Sequence, residues 1–71
     1  MNRRDPLAGL HVFRQVADTG SFTRAAALLG VTPAAVSQAI NQLEAELRLK
    51  LFHRTTRGVS LSEAGQRYHE Q

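Results

Sequence analysis

The segment from Ser21 to Leu47, SFTRAAALLGVTPAAVSQAINQLEAEL, constrains the chain more than any other feature. Ser21 can cap a short apolar helix, and Gly30 suits the left-handed position that ends one. Val31 then supplies the apolar contact that usually follows such a glycine. Thr32-Pro33 starts a second helix at once, with a capping hydroxyl and a proline at the first helical position, where no N–H is missed. Two helices joined so tightly must cross closely, and Ala25 and Ala26 are small enough to allow it. In the second helix Val36, Ile40, Leu43 and Leu47 recur at steps of four, three and four, one unbroken apolar stripe. At about 100° per residue the opposite face collects Ala34, Ser37, Gln38, Asn41, Ala45 and Arg48. From Ala34 to Ala45 that face has no charge but several hydrogen-bonding groups. A short helix, a tight turn and a longer helix with such a face is the helix-turn-helix arrangement, which sets its second helix into the major groove of DNA.

The flanks extend the pattern. Asp5-Pro6 is another cap-plus-proline start, and Leu7, Leu10, Phe13 and Ala17, with Val16 alongside, predict one apolar face of a helix near 6–18. Gly9 within it costs about 1 kcal/mol against alanine and predicts frayed first turns. Thr19-Gly20 closes that helix. Helices over 21–29 and 32–48 follow, with Phe22, Ala25, Ala26 and Leu29 facing inward from the shorter one. After Lys50 the period changes. Leu51-Phe52-His53-Arg54 and Val59-Ser60-Leu61 read as short strands, and polar Thr55-Thr56-Arg57-Gly58 between them predicts a hairpin from Leu51 to Leu61. Gly58 can take the positive φ that a hairpin tip often demands. Ser62 can cap a last helix with Glu63 in its first turn, and Leu61, Ala64 and Tyr68 could pack inward from it. Tyr68 fits either the core or a dimer contact.

Composition narrows the function. Seventy-one residues make one small domain, without room for a substrate cleft beside a scaffold. The absence of cysteine excludes disulfides and thiolate metal sites and fits a reducing compartment. Arg3 and Arg4 precede no apolar signal-peptide core, and no run reaches membrane-span length, so a soluble chain is expected. The net charge of +3 is modest, but its distribution is not even. Between Thr19 and Leu43 the only charged side chain is Arg24, whereas Arg48, Lys50, Arg54 and Arg57 lie between Leu47 and Ser62 without an acid. A basic stripe beside an uncharged polar helix face is the footprint of DNA binding, in which bases hold phosphates and neutral groups read base edges. Glu44 and Glu46 come only in the C-terminal half of the second helix, away from the end that would meet phosphates. His11, His53 and His69 have neither the spacing nor the partners of a metal site. Ser, His and acid residues occur, but nothing supplies an oriented base, so no catalysis and no cofactor are expected.

Three helices, a two-stranded wing and the start of a further helix make a mostly α, winged helix-turn-helix fold. At this level VADTGSFTRAAALLGVTPAAVSQAINQLEAEL followed by LFHRTTRGVSLSEAG resembles the N-terminal DNA-binding domain of LysR-type transcriptional regulators. The likeness runs from about Leu7 to Gly65. GSFTRAA, the VS of the third helix, QLE, LFHR and LSEAG carry it by their order and spacing. It implies sequence-specific binding of double-stranded DNA in the cytoplasm, at the nucleoid, for transcription regulation. The implied base-reading residues are Pro33, Ala34, Ser37 and Gln38, with Asn41 one turn further. Phosphate contacts would come from Ser21, Thr32 and Arg54, with His53 and Thr56 beside them, and a minor-groove contact from Arg57 in the wing. Two features depart from the family. Many relatives carry arginine where Gln38 stands or basic residues at Asn41 and Gln42, and glycine is common at the position of Arg48.

The resemblance further implies a division into residues 1–61, the DNA-binding domain, and 62–71, the start of a linker helix that dimerises the whole regulator. A dimer would read a pseudo-palindromic operator, and a small-molecule effector would act through a further C-terminal domain. The end within a helix predicts an excised domain, monomeric or weakly dimeric by itself. Two rival readings remain at this point. One is the winged helix of another regulator, such as the molybdate-responsive type, and the other is a winged helix used for protein–protein contact.

Overall fold

The computed structural model describes residues 9–56 and 58–70. The Asp5-Pro6 helix start, Leu7 and the wing residue Arg57 lie outside the described residues. In chain order the elements are α1 (Gly9–Thr19), α2 (Phe22–Leu29), α3 (Pro33–Leu47), β1 (Phe52–Thr55), β2 (Gly58–Leu61) and α4 (Glu63–His69). The two strands pair antiparallel, Phe52 with Leu61 and Thr55 with Gly58, and form a two-stranded wing. This is a winged helix-turn-helix.

The expected capping signals act as physical stops and starts. Ser21 Oγ accepts from Arg24 N at 3.1 Å, and Thr32 Oγ1 accepts from Ala35 N at 3.1 Å, satisfying N–H groups that the first turn would leave orphaned. Gly30 sits at φ 74°. Its N–H and that of Val31 donate to Ala27 O and Ala26 O, the paired bonds of a Schellman stop. Arg48 occupies the same left-handed region at φ 58°, without glycine's freedom from Cβ crowding. It ends α3, and Leu49 N closes the stop by donating to Glu44 O at 3.2 Å.

The core joins Val12, Phe13 and Val16 of α1, Ala25 and Ala26 of α2, Val36, Ile40 and Leu43 of α3, and Leu51 and Phe52 at the wing's base. Phe13 stands at its centre, its ring 5.3 Å from Phe52 and edge-on to Tyr68 at 5.1 Å. Tyr68 therefore packs against the core. The face expected for α1 needs correction. Leu10 is 52% exposed and Val12 is fully buried in its place. A Cβ on Gly9 would stand 3.1 Å from Leu43 Cδ1, so α1 lies against α3 through its bare glycine. That approach turns the Gly9, Val12, Phe13, Val16 face inward and leaves Leu10 at the rim.

The wing is fastened to the helices by polar groups at its base. Glu44 is buried, and its Oε2 accepts from Leu51 N at 2.8 Å and Phe52 N at 3.3 Å. Ser62 Oγ donates to Lys50 O at 2.6 Å and accepts from Gly65 N at 2.9 Å. Ser62 N donates to Leu51 O. A Cβ on Gly65 would fall 2.1 Å from Leu51 O, so only glycine lets α4 lie this close to the chain entering β1.

Candidate nucleic-acid interface

The outer face of α3 is built as its spacing predicts. Pro33, Ala34, Gln38 and Asn41 are exposed and Ser37 is half-buried, while Val36, Ile40 and Leu43 anchor the opposite side. Ser37 and Gln38 each present groups that donate and accept, and a glutamine can pair bidentately with adenine N6 and N7. No acid lies in the first turn of α3, so its positive dipole end is unopposed.

The two helix starts are placed differently. Thr32 is exposed, and its hydroxyl, which accepts from Ala35 N, retains its own proton to donate. Ser21 is half-buried, and its own N–H is within 3.3 Å of Thr19 Oγ1. The Ser21 hydroxyl proton, rather than that N–H, is the donor left for an anion.

In the wing His53, Arg54 and Thr56 are all exposed, as are Arg48 and Lys50 before it. Arg54 does not project freely. Its Nη2 donates to Asn41 Oδ1 at 2.9 Å, and its Cζ lies 4.7 Å above the centroid of the Phe22 ring. Phe22 is itself edge-on to Phe52 at 6.3 Å. One guanidinium thus touches the first residue of α2 and the middle of α3 while its backbone belongs to β1. The structure brings Asn41 and Arg54, expected in different roles, into direct contact.

Glu44 and Phe22 are the residues that sequence reasoning left without a role at this surface. Glu44 had a legible signal, standing four residues after Ile40 and three before Leu47, on the edge of the apolar stripe. The stacking of Arg54 on Phe22 had none, because it joins residues far apart in the chain.

Among the described residues no group of His, Asp or Glu side chains could hold a metal, and His11, His53 and His69 are exposed. No described helix is long and apolar enough to cross a membrane.

The geometry defines a winged helix-turn-helix with an uncharged polar face on α3 and exposed basic residues in and before the wing. Residues 7–66 match the model of the bacterial regulatory helix-turn-helix protein, lysR family. An HTH-type transcriptional repressor of Pseudomonas aeruginosa is 45% identical over 67 residues, which cover 94% of this chain and 21% of that protein. The HTH-type transcriptional activator AaeR of Escherichia coli is 42% identical over 64 residues, 90% of this chain and 21% of AaeR. Among solved structures, the crystal structure of a BenM_DBD/benA site 1 DNA complex superposes with a TM-score of 0.85 at 33% identity, over 90% of this chain and 72% of that one. The chain belongs to the lysR family of bacterial regulatory helix-turn-helix proteins. It is a DNA-binding domain of the kind that serves transcription regulation. It spans about a fifth of the length of the curated relatives it matches.

Proposed function

We propose that this domain reads one half of a pseudo-palindromic operator, with α3 in the major groove and the wing against the flanking backbone. The observation that carries the reading is the uncharged face of exposed Pro33, Ala34 and Gln38 with half-buried Ser37, and exposed Arg54 of the wing held against Asn41 one turn further along α3. Neutral polar groups at the start of α3 discriminate bases, and apolar Pro33 and Ala34 suit a thymine methyl. Ser21, Thr32, His53, Arg54 and Thr56 hold phosphates and fix the register without reading sequence.

Residues 1–61 form the DNA-binding unit and residues from 62 onward begin the element that brings two units together. Half-sites one helical turn apart need reading helices about 34–36 Å apart. The longest dimension of the domain is 29 Å, so one copy cannot span both. In the whole regulator a homodimer supplies the second copy. A small-molecule effector acting through a further domain then sets activation or repression at a cytoplasmic, nucleoid-bound site.

Selection from a randomised duplex pool, followed by fluorescence anisotropy on the selected site, tests the reading. Gln38→Ala and Ser37→Ala should each lose about 1–3 kcal/mol of preference at particular base positions. Arg54→Ala should weaken binding to selected and random duplexes alike and lower the salt slope by about one unit. Equal losses on both duplexes for all three variants would contradict this assignment of roles.

A further inference from the structure

We propose that Asn41 is a positioning residue for Arg54 rather than a reader of bases, so that α3 and the wing meet the DNA backbone as one pre-ordered unit. The inference rests on the DNA-binding reading above. It starts from the contact between Asn41 Oδ1 and Arg54 Nη2 at 2.9 Å. A bidentate asparagine–adenine pair needs the amide oxygen as acceptor and the amide nitrogen as donor together. Arg54 takes one of the two lone pairs of Oδ1, so such a pair would have to share that oxygen with the guanidinium. Position agrees with this, because Asn41 lies about 12 Å along α3 from Pro33, beyond the first turns that enter the groove.

The same contact has a positive consequence. An arginine on a two-stranded wing would ordinarily sample many rotamers and lose that freedom on meeting a phosphate. Here the guanidinium is held on one side by the Asn41 amide and on its face by the Phe22 ring at 4.7 Å. Phe22 packs against the core, and its ring meets Phe52 edge-on, so the platform is not itself mobile surface. Stacking on a ring and one bond to an amide leave the other N–H groups of the planar fork available to a phosphate. Both contacts are neutral partners, so the full positive charge remains for DNA. An acid in the place of Asn41 would hold the arginine as firmly but cancel that charge. Ordering the side chain beforehand removes a cost otherwise met on binding, which corresponds to about two- to tenfold in affinity.

The test is a double-mutant cycle on the 71-residue chain with Asn41→Ala, Arg54→Ala and the double variant. Anisotropy is read on a selected duplex and on a random duplex of equal length, each across a salt series. Asn41→Ala is expected to lose about two- to tenfold on both duplexes and to cause no further loss in the Arg54→Ala background. Because Asn41 is exposed, its melting temperature should stay within about 3 °C of the parent. In the free protein, the Arg54 Nε–H resonance should move toward its unstructured position in Asn41→Ala, a readout independent of DNA. A loss confined to one base position, losses that multiply in the double variant, or an unmoved Arg54 resonance would overturn the inference. Failure of the parent chain to bind any duplex would sink the DNA reading itself, and this inference with it.

Discussion

Removing the Glu44 carboxylate should cost more stability than any other single polar change at this surface. Oε2 accepts from Leu51 N at 2.8 Å and Phe52 N at 3.3 Å, and both bonds are buried. Glu44→Ala leaves two buried donors without a partner, each costing about 1–3 kcal/mol. The longer bond to Phe52 contributes at the low end, which sets an expected loss of about 2–4 kcal/mol. A domain of 71 residues has roughly 4–10 kcal/mol of stability in all, so the loss takes a large share of it. With about 4–8 °C per kcal/mol at this size, the melting temperature should fall by roughly 8–32 °C. Thermal unfolding followed by circular dichroism measures it. Glu44→Gln keeps an acceptor oxygen at the same reach and should recover at least half of the loss. A fall of less than about 3 °C for Glu44→Ala would show that water replaces the carboxylate at no cost. A glutamine variant no better than alanine would assign the loss to packing instead. The consequence for DNA follows directly, since this carboxylate fixes the entry to β1 against α3 and so sets where Arg54 stands.

Three further outcomes follow from the geometry. Gly65→Ala should destabilise by roughly 2–3 kcal/mol in urea unfolding, because its Cβ would meet Leu51 O at 2.1 Å and the backbone must move. Arg48→Gly should stabilise by about 0.5–1 kcal/mol, since the left-handed stop at φ 58° strains any side chain, and an unchanged or lower denaturation midpoint would contradict it. The free chain should sediment as a monomer at micromolar concentration. Tyr68, the large apolar group of α4, packs edge-on to Phe13, leaving α4 short of the roughly 1,200 Å² of a stable interface. A tight dimer would place an interface elsewhere, with exposed Leu28 of α2, at 68%, the first surface to examine.

Local chemistry alone determined most of the architecture. Ser21, Gly30, Thr32-Pro33 and Ser62 mark starts and stops through bonds that each residue makes within a few positions of itself, so they can be read one turn at a time. The stripe from Val36 to Leu47 and its polar reverse likewise depend only on the period of a helix. The change of period after Lys50 announced the wing, and the order of short motifs announced the family. What the sequence could not decide is what depends on how elements meet. Leu10 and Val12 both satisfy helical spacing, and only the close approach of Gly9 to Leu43 selected Val12 for the core. Glu44 looks like a solvated acid until the entry to β1 folds over it and presents two N–H groups. Asn41 and Arg54 are thirteen residues apart, on a helix and a strand, and their bond exists because the wing folds back across α3. Hydrogen bonds and stacking between distant segments have no periodic trace in the chain, so the tertiary structure alone could join these two residues.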